Sequence, residues 1–281
     1  EQLGYREGGR AQRIARMMAE PGARYPDSDA GREQIIADFT RLGAELELAT
    51  AAAFGRHPTA AVEVVRVPEF QQEGEALARY WPPSLDGERP GRFMINLRAP
   101  AEIEKHGMRT LSAHESVPGH HFESALTQHI EGLPLARRNA LLSSFSEGWA
   151  LYAEQLVYEL GLHDERSNIG RLQALMFRAV RLVVDTGIHA LRWPRQRAID
   201  YMLAQTGMPE GDVITEIDRY IAMPGQACSY MLGMQAIVAA REEARSRQGE
   251  RFDLANLNDA VLANGPLPIE VLTRELRRAL P

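Results

Sequence analysis

With 281 residues, 44% of them hydrophobic and 25% charged, the chain has an ordinary globular composition and enough length to bury a sizeable core. A formal net charge of −6 and no long basic run argue against nucleic acid or an anionic membrane surface as the main partner. The one cysteine, Cys228, excludes an internal disulfide framework and a thiolate-rich metal site, and no apolar run reaches the roughly twenty residues that span a bilayer.

The chain opens on the polar Glu1-Gln2-Leu3-Gly4-Tyr5 without an initiator Met. It therefore reads as part of a longer polypeptide, and its compartment stays open, because a signal sequence could precede this point. The whole of 1–281 reads as one catalytic domain. Residues 1–60 form a helical lead-in, with Ser28 and Asp29 as candidate caps before the apolar series Ile35, Ile36, Phe39, Leu42 and Leu46. Residues 61–100 are the β region: the β-branched run 62–67 and the run 92–97 read as two strands of a small antiparallel ribbon, with a helix over 71–79 between them. Asn96 and a free edge of 92–97 are candidates to bind an extended substrate by strand addition. Residues 101–281 read as a helical core. Apolar spacing predicts helices over 109–130, 135–161, 166–192, 194–206, 209–222, 226–247, 253–263 and 268–280.

The chemistry concentrates in His114-Glu115-Ser116-Val117-Pro118-Gly119-His120-His121 and in Ser146-Glu147-Gly148-Trp149-Ala150-Leu151-Tyr152-Ala153-Glu154. Imidazole and carboxylate are zinc ligands, and a hydrolytic site uses three of them plus a water. In the short His-Glu-x-x-His motif the two His share a helix face one turn apart. Here the next His residues follow six and seven places after His114, and Pro118-Gly119 predicts a kink. If two residues loop out, His120 returns beside His114; if the helix stays regular, His121 shares the face roughly 10 Å along the axis. His120 is the favoured ligand and His121 the alternative. Glu115 is placed to take the proton of the attacking water, and Glu147 is the natural third ligand. Glu154, two turns on, is placed to orient an imidazole.

Two more clusters follow. One is Arg178, Arg181, Asp185 and His189, of which the last three lie four apart on one helix face. Asp185 can hold the tautomer of His189, which then donates to an oxyanion; the alternative is a structural polar ladder. In Arg219-Tyr220-Ile221-Ala222-Met223-Pro224-Gly225-Gln226, followed by Tyr230, the start of a helix offers N–H groups to a substrate anion. Gln226 is a substrate-binding candidate there, and Tyr220 or Tyr230 can supply a hydroxyl to the developing charge.

These residues resemble the bacterial family called domain of unknown function 885, whose members are regarded as zinc metallopeptidases. The resemblance runs over nearly the whole chain as the C-terminal half of a longer member. It rests on Tyr80 with Pro83, Asp86-Gly87 with Pro90-Gly91, Asn96-Leu97, the two motifs above, the run from Arg181 to His189, and Pro224-Gly225-Gln226. More distantly the layout is similar to the helical gluzincin peptidases, in which the second metal His follows a Gly and the third ligand is a Glu on a later helix. On that pattern His120 and Glu147 complete the ligand set, although this chain has an insertion before Pro118-Gly119. The resemblance implies a mainly α, gluzincin-like metallopeptidase domain holding Zn²⁺ in a cleft, a peptide or small amide substrate, and a missing N-terminal part that helps to close the cleft. A zinc hydrolase of non-peptide amides or esters, or a non-catalytic helical module, is the alternative.

Overall fold

In the computed structural model, which describes residues 3–73, 75–140 and 142–280, short local signals start most of the helices. After α1 (Arg10–Met18), Ser28 accepts a hydrogen bond from the Gly31 N–H at 3.2 Å and opens α2 (Asp29–Thr50). Next come β1 (Val62–Arg66), β2 (Ala78–Trp81) and β3 (Gly91–Ile95). The helical part holds α3 (Met108–Glu115), α4 (His120–Gln128), α5 (Leu135–Arg138), α6 (Ser143–Glu159), α7 (Glu165–His189), α8 (Arg195–Thr206), α9 (Glu210–Ala222), α10 (Gln226–Gln248), α11 (Leu254–Leu262) and α12 (Ile269–Ala279). Asp164 caps α7 and Asp253 caps α11. A proline with fixed φ precedes α5, α8, α9 and α12. No described helix is long and apolar enough to cross a membrane.

The mainly helical expectation holds, but the β region departs from it. The sheet has three strands in the order β1-β3-β2, with β1 parallel and β2 antiparallel to β3. It is therefore a mixed sheet rather than an antiparallel ribbon. The expected helix over 71–79 is absent among the described residues: 69–71 form a short 3-10 turn and Ala78–Trp81 form a strand. Two causes are visible. Tyr80 and Trp81 suit a pleated surface, and the Asn96 amide donates to the Gln72 and Glu75 carbonyls at 2.9 and 3.1 Å, taking acceptors a helix would use. Since β3 is the central strand, it has no free edge for a substrate, and Asn96 serves as a loop clamp.

The helix expected over 109–130 is also divided. Pro118 cannot donate and the chain leaves the helix after Glu115; residues 116–119 form a turn with a cis Val117–Pro118 bond before α4. The Trp149 indole N–H donates to the Pro118 carbonyl at 2.9 Å and fastens this turn to α6. The expected 135–161 helix is interrupted too, between α5 and α6; Leu141 in that interval lies outside the described residues.

Among the described residues, the three larger of four apolar clusters hold most of the elements together. Phe122, Phe145, Trp149 and Tyr152 join α4 and α6 to α10, α11 and α12. Phe39 of α2 meets Phe93 of β3 edge to face, with ring centroids 5.1 Å apart. Val184, Ile199, Met202 and Tyr220 join α7, α8 and α9. The backbones of α6 and α10 approach closely where they cross. A Cβ on Gly148 would stand 2.5 Å from the Gly233 Cα, and one on Gly233 would stand 1.9 Å from the Ser144 carbonyl oxygen. Only glycine fits at either position, and the crossing sets Glu147 beside α10.

Candidate metal centre

The turn after α3 returns the chain across its own helix end. A Cβ on Gly119 would fall 2.0 Å from the His114 carbonyl oxygen, so glycine alone permits this fold-back. It brings the His114 and His120 rings together edge to face, with centroids 4.8 Å apart. From α6, the Glu147 Oε2 lies 3.5 Å from His114 Nε2 and 3.3 Å from His120 Nε2. Among the described residues, His114, His120 and Glu147 are the group able to hold a metal ion, with their ligand atoms all within 4.8 Å of one another.

Two features distinguish this cluster from a set of ion pairs. First, Glu147 Oε2 is buried and has no hydrogen-bond partner, although two imidazole nitrogens stand so near. The contacts are electrostatic, with three donor atoms facing a common point. Second, each imidazole is held from its other nitrogen. His114 Nδ1 meets Glu154 Oε1 at 2.7 Å, and His120 Nδ1 meets Ser146 Oγ at 3.3 Å, with Ser146 also donating to Glu123 Oε2 at 3.2 Å. With each Nδ1 engaged, each imidazole is left with its Nε2 towards Glu147. Burial lowers the His114 pKa, but the Glu147 and Glu154 carboxylates more than reverse that and hold it up at about 9. Burial likewise pushes Glu147 up, and the two imidazoles outweigh it, leaving the carboxyl well below its usual range.

Glu115 is buried at the last position of α3. Its carboxylate accepts no hydrogen bond among the described residues and acts on His114 through its charge. The Tyr230 ring lies nearly parallel to His114, centroids 6.3 Å apart, and the Arg181 guanidinium of α7 stands 4.5 Å from the Tyr230 ring centroid. Burial and then the charge of Glu147 raise the Tyr230 phenol, so it remains a donor next to the cluster.

Other sequence candidates stand elsewhere. His121 uses both ring nitrogens away from the centre, on Tyr80 Oη and on the Ala60 carbonyl, each at 2.9 Å. Arg181, Asp185 and His189 do not bond one another, so Asp185 does not hold the His189 tautomer; they fit the structural alternative, each finding a partner on α9 or at the start of α10. Arg181 donates to Tyr220 Oη at 2.8 Å and to Glu216 at 2.9 Å; Asp185 accepts from the Gly225 N–H at 3.1 Å; His189, exposed, meets the Tyr220 carbonyl at 2.9 Å. The Tyr220 hydroxyl donates to Glu216 at 2.6 Å while accepting from Arg181, so it braces α7 against α9. Gln226 is engaged by Arg219 at 2.6 Å and by Ser143 at 3.2 Å. Sequence reading gave no role to Ser146, Glu123 or Tyr80; Arg178, named there with Arg181, Asp185 and His189, stands 3.5 Å from Glu154. A signal existed for two of them: Ser146 directly precedes Glu147, and Glu123 lies three residues after His120 on the same helix.

Comparison with known proteins gives the following. Residues 1–276 match the family described as "Bacterial protein of unknown function (DUF885)". A candidate lipoprotein from Colwellia psychrerythraea has a similar solved structure, with 45% identity and a TM-score of 0.96 over 99% of this chain and 48% of that one. A candidate lipoprotein of unknown function from Shewanella oneidensis, at 18% identity and a TM-score of 0.78, matches 97% of this chain and 51% of its own, and shares the fold. The chain thus spans about half the length of both. No curated protein matches.

Proposed function

We propose, for a chain that belongs to the bacterial family DUF885, that it is the gluzincin-like catalytic part of a zinc-dependent hydrolase that cleaves peptide bonds. The observation that carries this reading is the partnerless Glu147 Oε2 facing the Nε2 atoms of His114 and His120. A tetrahedral zinc ion with ligand bonds of about 2.0–2.1 Å keeps its donors about 3.4 Å apart, and the two separations here are 3.5 and 3.3 Å. Two imidazoles and a carboxylate, with no thiolate near, suit zinc in a hydrolytic rather than a structural role.

When bound, the ion supplies Lewis acidity and makes a water nucleophilic at neutral pH. The chain's own groups do the rest. Glu115, next to His114 in sequence and free of hydrogen-bond partners, takes the proton of the attacking water and returns it to the leaving amine. Glu154 fixes the ring of His114, and Ser146 that of His120. The Tyr230 phenol, kept protonated beside the centre, donates to the oxygen that gains negative charge. The test pairs elemental analysis with a peptide library. The purified protein should hold one zinc per chain and cleave peptides, and Glu115→Gln should keep the zinc while turnover falls about 10²–10⁴-fold. Zinc-free protein, or undiminished turnover in the variant, overturns the reading.

A further inference from the structure

Ser146 stands between two partners and has one proton to give. Its Oγ lies 3.3 Å from His120 Nδ1 and donates to Glu123 Oε2 at 3.2 Å. A serine hydroxyl is a single donor with two acceptor lone pairs, so a proton given to Glu123 cannot also go to His120. The hydroxyl therefore accepts, and His120 Nδ1 carries the hydrogen. In a neutral imidazole protonated on Nδ1 the lone pair is on Nε2, the nitrogen 3.3 Å from Glu147. With the hydroxyl reversed, the imidazole proton would sit on Nε2 and block the ligand position.

Glu123 has the surroundings to fix that direction. It lies on α4, three residues after His120, and is 3% exposed. Hydroxyl donors surround its carboxylate: Thr127 at 3.2 Å on Oε1, and Ser146 at 3.2 Å with Ser124 at 3.5 Å on Oε2. No Lys or Arg pairs with it among the described residues. Burial pushes the Glu123 carboxyl up, and the charge of His120 opposes that more than any of the hydroxyls does. A carboxylate this deep is costly unless a positive centre lies near; His120 and an ion on it supply that centre.

Resting on the zinc-hydrolase reading, we propose that Glu123 is a positioning residue of the metal centre, acting on His120 through the Ser146 hydroxyl. By taking the Ser146 proton, it obliges His120 to donate from Nδ1 and to turn its Nε2 lone pair on the ion. The two imidazoles are thus set by different devices. His114 meets the Glu154 carboxylate directly at 2.7 Å, whereas His120 meets a carboxylate only by way of a hydroxyl.

Two readouts test this: zinc affinity by chelator competition, and the proton spectrum of the cobalt-loaded protein. The parent's cobalt form should show two shifted ring N–H signals that exchange slowly with water, one from His114 and one from His120. Ser146→Ala and Glu123→Leu should each lower zinc affinity about 10–100-fold and remove the His120 signal alone. The double variant should lose no more than about threefold beyond Ser146→Ala, because Glu123 acts through the hydroxyl. Ser146→Thr, which restores a hydroxyl, should bind zinc as the parent does. Thr127→Ala, which removes a donor from the other oxygen of the same carboxylate, should change neither readout. Should the leucine variant not fold, Glu123→Asp replaces it, drawing the carboxylate back from Ser146, with the same losses expected. Parent affinity in the Glu123 variant, losses that multiply in the double variant, or a His120 signal that persists without Glu123 overturns the positioning role while the metal centre stands. A parent protein that holds no zinc overturns the hydrolase reading instead, and this role with it.

Discussion

His114 and Glu154 face each other at 2.7 Å with both side chains at least 95% buried, so the imidazole closest to Glu115 has a fixed orientation. Such a carboxylate is needed because a freely turning ring would present its lone pair only part of the time. Glu154→Gln keeps the shape but weakens the hold on the imidazole, and Glu154→Ala abolishes it. Zinc affinity, read by competition with a chromogenic chelator, should fall about 10–100-fold in the alanine variant and less in the glutamine variant. Equal affinity in all three proteins would show that Glu154 does not orient a ligand.

Adjacent histidines should behave oppositely. His120→Ala removes a donor atom from the cluster and should drop zinc below one per chain. His121→Ala leaves the cluster intact but deletes bonds to Tyr80 and Ala60. It should retain stoichiometric zinc and lose about 2 kcal/mol of stability in denaturant titration. The reverse pattern would reassign the ligand.

Glu216 gives the fold an acid-sensitive joint. Burial would raise its pKa, but Arg181, Arg219 and the Tyr220 hydroxyl bring it down to about 2 from an ordinary 4.5. A depressed carboxyl stabilises the folded chain fully above its unfolded pKa and loses that contribution as pH falls through the folded value. The difference corresponds to about 3 kcal/mol at neutral pH. Denaturant midpoints of the parent and Glu216→Gln should therefore differ most at pH 6–7 and converge as pH falls from about 4.5 towards 2. A gap that stays constant over this range would contradict the assignment.

At the α6–α10 crossing, Gly148→Ala places a methyl group 2.5 Å from the Gly233 Cα, a backbone atom that cannot swing aside. Overpacking of this kind costs about 1–3 kcal/mol. Because Glu147 is the preceding residue, zinc affinity should fall along with the melting temperature. A variant with unchanged stability would show that the two helices separate easily.

What could be read from the sequence depended on how local the interaction was. His114, Glu115 and Glu147 were legible because each lies in a short motif with its own chemistry, and the Pro118-Gly119 break between the imidazoles was legible because proline cannot continue a helix. That break favoured His120 over His121, with His121 kept as the alternative because the outcome turns on how the chain leaves α3 at Ser116. The sheet was misread because Ala78–Trp81 owes its strand form to pairing with β3, and the parallel β1–β3 pair joins residues almost thirty positions apart. Arg181, Asp185 and His189 were rightly placed on one face, but their partners Glu216, Tyr220 and Gly225 come from elements 31–40 residues away, and spacing within α7 says nothing of those.

One helix, α6, carries Ser146 against His120, Glu147 among the imidazoles, Trp149 on the Pro118 carbonyl and Glu154 behind His114. A one-residue insertion or deletion between Ser146 and Glu154 would rotate the distal part of that set by about 100° relative to the proximal part. Loop lengths elsewhere can drift as the sequence evolves, but inside this nine-residue window spacing is the heritable trait, and the side chains within it can change only in concert.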